Sequence, residues 1–230
     1  MNDVQKFIAD LKQHDKYDKS LDDWDPDKFD WTCSKLLPVH YKEYFHIWFN
    51  KKYYQYEHTS WSLASFCYKY FLIWWDSDKF HKSGYSALVD NCYMYFNIWW
   101  PDIKDKIDKP DFLNENLYGL SLKCSDYFLD WFDKDAIRPL KIAECIDVIC
   151  KNNAQQFDIW WNKDILANSS DFIQNKVIEN LILHCSNKID IWAQDLCNIC
   201  RRHPITIFIK SISPKDLAKI QTRLFLDNSI

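Results

Sequence analysis

The only cluster with metal-ligand character is Cys197-Asn198-Ile199-Cys200-Arg201-Arg202-His203, with His184 and Cys185 nearby in sequence. Two Cys three apart plus a His supply thiolate and imidazole, the ligands zinc takes in tetrahedral sites. A second closely spaced pair is absent, and Cys three apart on a helix also arises from packing, so these are expected to be buried thiols without metal. The acidic stretch Asp22, Asp23, Asp25, Asp27 and Asp30 lacks the glycine and terminal Glu of a calcium loop and is expected to be solvated caps. His40, His46 and His58 have no persuasive partner for proton transfer. Phosphate loops, dinucleotide turns and nucleophile elbows are absent. The expectation is a protein with no catalytic residue, metal or cofactor.

What must be positioned is therefore aromatic. The chain holds 12 Trp, 13 Tyr and 15 Phe but only 2 Gly. A phrase recurs: Phe45-His46-Ile47-Trp48-Phe49, Phe71-Leu72-Ile73-Trp74-Trp75, Phe96-Asn97-Ile98-Trp99-Trp100, Phe128-Leu129-Asp130-Trp131-Phe132, Phe157-Asp158-Ile159-Trp160-Trp161 and Ile189-Asp190-Ile191-Trp192-Ala193. Successive first positions are 26, 25, 32, 29 and 32 residues apart. A degenerate leading copy is expected around Leu21 to Trp24.

Cys67, Cys92, Cys124 and Cys185 each stand four residues before the first position of the phrase; the fifth copy has Asn153 there. Ala64, Cys67, Phe71, Trp74 and Trp75 share one face of a continuous helix, so each unit is expected to be one helix of about four turns closed by the phrase. Asp76, Asp133 and Asn162, just past the aromatic pair, suit caps for a short following helix, with the apolar residue three or four positions on as anchor. Pro110 and Pro139 suit helix starts, as does Ser213-Pro214. Ile205 to Ile209 is β-branched, but its surroundings favour helix.

The expected fold is all-α: about six tandem helical units of 25–32 residues stacked as a short α-solenoid in one domain. Residues 1–20 would be an N-terminal cap, 21–200 the repeats and 201–230 capping helices. The phrase resembles α-solenoid repeat proteins in general, over residues 20 to 200. Neither the tetratricopeptide nor the ankyrin pattern is met. The resemblance implies a binding scaffold.

The phrase divides by position. Phe71, Phe96, Phe128 and Phe157, with Trp48, Trp74, Trp99, Trp131, Trp160 and Trp192, are expected as structural core. The variable second aromatic (Phe49, Trp75, Trp100, Phe132, Trp161) is expected at the edge of the buried stripe, as a half-exposed row where a partner docks. The function expected is a protein-binding module: adaptor, inhibitor or effector. A nucleic-acid binder, stacking bases on aromatics with Lys51, Lys52, Lys104 and Lys106 on phosphates, is disfavoured by the net charge of −4 and four Arg. An enzyme with an unrecognised site is the third reading. No apolar run reaches a membrane span, the N-terminus lacks a secretory hydrophobic region, and nine Cys suit a reducing compartment. These point to the cytoplasm.

Overall fold

The computed structural model describes residues 5–7, 9, 31–49, 54, 56–167, 169–200 and 218. Among the described residues the chain is all-helical. The leading copy near Leu21, the stretch 205–209, the helix start at Ser213-Pro214 and His203 lie outside them, as do the side chains of Cys197 and Cys200. The chain divides into two compact units, Met1–Ile107 and Asp108–Ile230, and each contains three copies of the phrase.

In the first unit the longer helices are α1 (Trp31–His40), α3 (Glu57–Phe66) and α5 (Tyr85–Asn91), and α3 packs against both others. Each is followed by a short helix made of the phrase: α2 (Phe45–Trp48), α4 (Phe71–Trp74) and α6 (Phe96–Ile103). The second unit has α7 (Lys109–Lys123) with α8 (Phe128–Trp131), then α9 (Pro139–Glu144) and α10 (Ile146–Asn153) with α11 (Phe157–Trp160). It continues with α12 (Asp164–Ala167) and α13 (Asp171–His184), followed by α14 (Ile189–Cys200). Here α10 packs between α7 and α13.

The expected continuous helix is not what forms. The long helix stops at the Cys position, which takes φ near −110° and ψ near +20° at Cys67 and Cys92. A 3-10 turn follows, and the phrase then forms its own helix. The reason is a hydrogen-bond account. Inside a helix every carbonyl is already taken by the N–H four residues on. Where the helix ends, the pivot carbonyl accepts instead from the N–H three residues on, as Cys67 does from Tyr70 at 2.9 Å and Cys92 from Tyr95 at 2.9 Å, and its second lone pair takes the first Trp of the phrase. Its indole N–H donates to the carbonyl seven residues back in all six copies. The pairs are Trp48 to Tyr41 at 2.7 Å, Trp74 to Cys67 at 2.7 Å and Trp99 to Cys92 at 2.9 Å. Trp131 to Cys124 at 2.9 Å, Trp160 to Asn153 at 2.8 Å and Trp192 to Cys185 at 3.1 Å complete the set. A straight helix would leave six buried indole donors without acceptors, at roughly 1–3 kcal/mol each.

That bond explains why Trp never varies at this position while its neighbour does. All six of these Trp are fully buried, as are Phe45, Phe71, Phe96, Phe128 and Phe157. Within each copy the Phe and Trp rings meet edge to face, with centroids 4.8 to 5.1 Å apart. The pivot thiols bond toward the preceding copy of their own unit: Cys67 Sγ reaches the Pro38 carbonyl at 3.9 Å and Cys92 Sγ the Ala64 carbonyl at 3.7 Å. In the second unit the residue at the matching place is the fully buried Cys150.

The short helix expected after the aromatic pair forms only after Asn162, as α12; after Asp76 and Asp133 the chain makes a turn instead. Asp76, Asp133 and Asn162 accept from backbone N–H groups two residues on, at 3.2, 3.0 and 3.0 Å. Phe80, Ile137 and Ile165 anchor those turns in the core. Asp108 caps α7 by accepting from the Asp111 N–H at 3.3 Å, with Pro110 in the first turn, and Pro139 begins α9. One close approach demands glycine. A Cβ on Gly84 would lie 2.6 Å from the Phe80 ring and 2.8 Å from the Ser60 backbone carbon, where the 82–84 turn meets α3.

Candidate interaction surface

Each phrase and the 3-10 turn leading into it make a seven-residue block: 42–48, 68–74, 93–99, 125–131, 154–160 and 186–192. In a one-turn helix the first and fourth residues share a face, and the two between point away. The inward pair is the Phe and Trp already described. The outward pair is where the surface lies. Leu72 and Ile73 are exposed (68% and 62%), and so are Ile98, Leu129, Ile159 and Ile191; Ile47 is half-buried. Isoleucine holds the third position of the phrase in five copies, and the fourth copy has Asp130 there with Leu129 beside it.

The second aromatic, expected at the edge of the buried stripe as a half-exposed row, is half-buried at Phe49, Trp75 and Phe132, whereas Trp100 and Trp161 are buried, at 3% and 7% exposure. Each folds its ring back onto the Phe of its own phrase in near-parallel stacks of 4.5 to 5.5 Å: Phe45–Phe49, Phe71–Trp75, Phe96–Trp100, Phe128–Phe132 and Phe157–Trp161. Two of the indoles also bind a carboxylate in the following copy, Trp75 to Asp102 at 3.0 Å and Trp161 to Asp195 at 2.9 Å. The position varies because either ring can stack there. A tie to the next copy needs the indole N–H, which only Trp supplies.

The unassigned signal was the isoleucine. Two residues past the Phe on a helix is about 200° around the axis, away from the core. An apolar residue kept there through five internal copies contributes little to the core and covers the outside instead.

Charge separates the two units on this surface. The blocks of the first unit carry Lys42, Glu43 and Lys69, two positive against one negative among the Lys, Arg, Asp and Glu. Those of the second carry Asp126, Asp130, Asp158 and Asp190 against Lys188 alone, four negative against one positive. The four Asp are exposed, and Asp158 pairs with Lys188 at 2.5 Å, which sets the fifth and sixth blocks side by side.

The described residues contain no group of three or more His, Cys, Asp or Glu able to hold a metal. Burial pushes the thiols of Cys67, Cys92 and Cys124 up to about 12, where they stay protonated and unreactive at neutral pH. Asp133 is held below the usual carboxylate range by the Lys109 ammonium at 2.7 Å, an exposed structural pair. No helix among the described residues is long and apolar enough to cross a membrane. Compared with protein-family models, curated proteins and solved structures, the chain finds no match.

Proposed function

We propose that the protein is a non-catalytic protein-binding module, acting as an adaptor, inhibitor or effector through the outward face of its repeated blocks. The observation that carries this reading is the exposed isoleucine repeated between a fully buried Phe and a fully buried Trp at Ile73, Ile98 and Ile159, and between buried Ile189 and Trp192 at Ile191. Core packing accounts for the Phe and Trp on either side of it. A row of apolar side chains on short, rigidly tethered helices is suited to a protein partner, because its anchors are fixed before binding and lose little entropy on contact.

This moves the proposed contact from Phe49, Trp75, Trp100, Phe132 and Trp161 to the residues between the pegs. The stacked second aromatics form the floor behind them. Placing a photo-crosslinking amino acid at Ile73 or Ile159 in the native cell, with exposed Glu115 of α7 as the control position, tests it. A discrete crosslinked protein product from the isoleucine positions is expected. Products that are the same from all three positions, or none, would end the reading.

A further inference from the structure

Independently of what the outward face binds, we propose that Cys150 and Cys185 form a redox-active pair, which a peroxide converts to a disulfide inside the second unit. The register of the repeat brings the two sulfurs together. In the first unit each pivot thiol reaches the residue three places ahead of the preceding pivot. Cys67 faces Pro38, three before Tyr41, and Cys92 faces Ala64, three before Cys67. The pivot of the sixth copy is Cys185 and that of the fifth is Asn153, so the residue facing Cys185 is Cys150. Cys150 lies on α10, which packs against α13, and Cys185 is the C-terminal cap of α13; both side chains are fully buried. The same register assigns Ser121 to the Asn153 pivot, and neither it nor Pro38 nor Ala64 carries sulfur.

Two facing thiols behave differently from isolated buried ones. Burial pushes Cys67, Cys92 and Cys124 up to about 12 and raises Cys145 as well. Of the six described cysteines only Cys185 is held below the ordinary thiol range, by the Cys150 thiol beside it. The same contact and burial push Cys150 up. Because the thiolate is the nucleophile, Cys185 is the attacking sulfur and Cys150 the resolving one. The Cys185 thiolate attacks hydrogen peroxide and the O–O bond breaks. Two electrons pass from sulfur to peroxide, Cys185 becomes a sulfenic acid, and the departing hydroxide takes up the thiol's proton as water. The Cys150 sulfur then attacks the sulfenic sulfur, the S–O bond breaks, and the hydroxyl leaves with the Cys150 proton as a second water. The net change is two thiols and one peroxide to one disulfide and two waters. Peroxide is little larger than water, so brief local opening at the α10–α13 contact admits it. The bond joins the helix leading into block 154–160 to the residue that opens block 186–192, and so ties those two blocks together.

The test treats the reduced full chain with hydrogen peroxide at neutral pH, alkylates the remaining thiols under denaturing conditions and maps every cysteine by mass spectrometry after digestion. The expected product is a peptide linked through Cys150 and Cys185, about 2 Da lighter than its two thiol halves together, which dithiothreitol separates. Cys67, Cys92 and Cys124 should oxidise at least about tenfold more slowly. Cys150→Ser should abolish the link and leave Cys185 as a sulfenic acid that dimedone traps, whereas Cys185→Ser should leave Cys150 reduced. Circular dichroism checks the fold of each variant, and Ala takes the place of Ser where the Ser variant unfolds. Mapping of the unsubstituted chain decides the question even if no variant folds. Cys150 and Cys185 still reduced once the other described thiols are oxidised would overturn the proposal. So would a dominant link from Cys185 to Cys145 or any cysteine other than Cys150, or a Cys185 sulfenic acid that persists beside an unreacted Cys150.

Discussion

Both units of this protein tether every phrase in the same way, yet they join consecutive copies differently. In the first unit the residue before the Phe is a tyrosine whose ring stacks on the Phe of the preceding copy. Tyr70 lies 4.4 Å from Phe45 and Tyr95 lies 4.5 Å from Phe71, both nearly parallel. In the second unit that position holds Tyr127 in the first copy but Gln156 and Lys188 in the two that follow. Its copies are joined by polar contacts: Asn152 Nδ2 to the Ser121 carbonyl at 3.0 Å, Lys176 to Asp147 at 3.0 Å and Lys188 to Asp158 at 2.5 Å. The lesson is that the invariant elements of the repeat are those that solve a problem inside one copy. The contact between copies can be apolar or polar, because each chemistry buries the same Phe and Trp behind it.

The strongest way to break this comparison is to remove a tether. Trp99→Ala in the first unit and Trp131→Ala in the second should each cost about 3–5 kcal/mol by urea unfolding, from a lost core ring and a lost second hydrogen bond to the pivot carbonyl. Trp→Phe at either site should cost less and by a similar amount in both units. A large difference between the two sites would show that the shared tether is not equally important in each.

Gly84→Ala should cost about 1–3 kcal/mol, because the turn must move away from Ser60. The second unit uses proline and Asn contacts at the comparable junction, with Asn114 accepting from the Arg138 N–H at 3.0 Å and donating to the Ala136 carbonyl at 2.9 Å. A melting temperature unchanged by the Gly84 variant would contradict the close approach.

Asn153 sharpens the comparison in the opposite direction. It occupies the pivot held by Cys in four other copies, it is fully buried, and its side-chain amide has no hydrogen-bond partner among the described residues. Asn153→Cys should therefore stabilise the second unit, by about 1–2 kcal/mol. A loss of stability on chemical denaturation would mean the amide has a role the tether geometry does not reveal.

Alkaline pH probes the pivots directly. Cys67, Cys92 and Cys124 keep their protons up to about 12 when folded, whereas a thiol in the unfolded chain ionises near 9. The folded state then binds more protons than the unfolded state above pH 9. The stability these thiols contribute is complete below that pH and falls as pH rises, by at most about 1.4 kcal/mol per thiol per pH unit. Urea titrations between pH 8 and 10.5 should show the fall, and Cys67→Ala/Cys92→Ala/Cys124→Ala should reduce it. The smallest expected effect is at the polar junction. Lys188→Ala should cost less than about 1 kcal/mol, since its partner Asp158 is 60% exposed, while Tyr95→Ala at the stacked junction should cost more.

Much of this was readable from residue order. The six phrases, the burial of Phe and first Trp, the turn chemistry of Asp76, Asp133 and Asn162, and Pro110 and Pro139 at helix starts follow from local chemistry. Helical character, turn propensity and apolar periodicity act within a few residues, so a linear reading captures them. Helix breakage at Cys67 and its counterparts was not readable, because Cys has no strong stop signal. The break is stabilised by an indole seven residues later reaching back to the released carbonyl. The place of the second aromatic was likewise decided in three dimensions. Whether Trp75 or Trp161 faces solvent depends on the Phe it stacks on and on Asp102 or Asp195 in the following copy. The sequence by itself determined a tandem aromatic helical protein and its buried pegs. Tertiary structure alone decided which face was left over, because exposure is set by what packs against a residue, and for the isoleucines between the pegs that is nothing else in their own block.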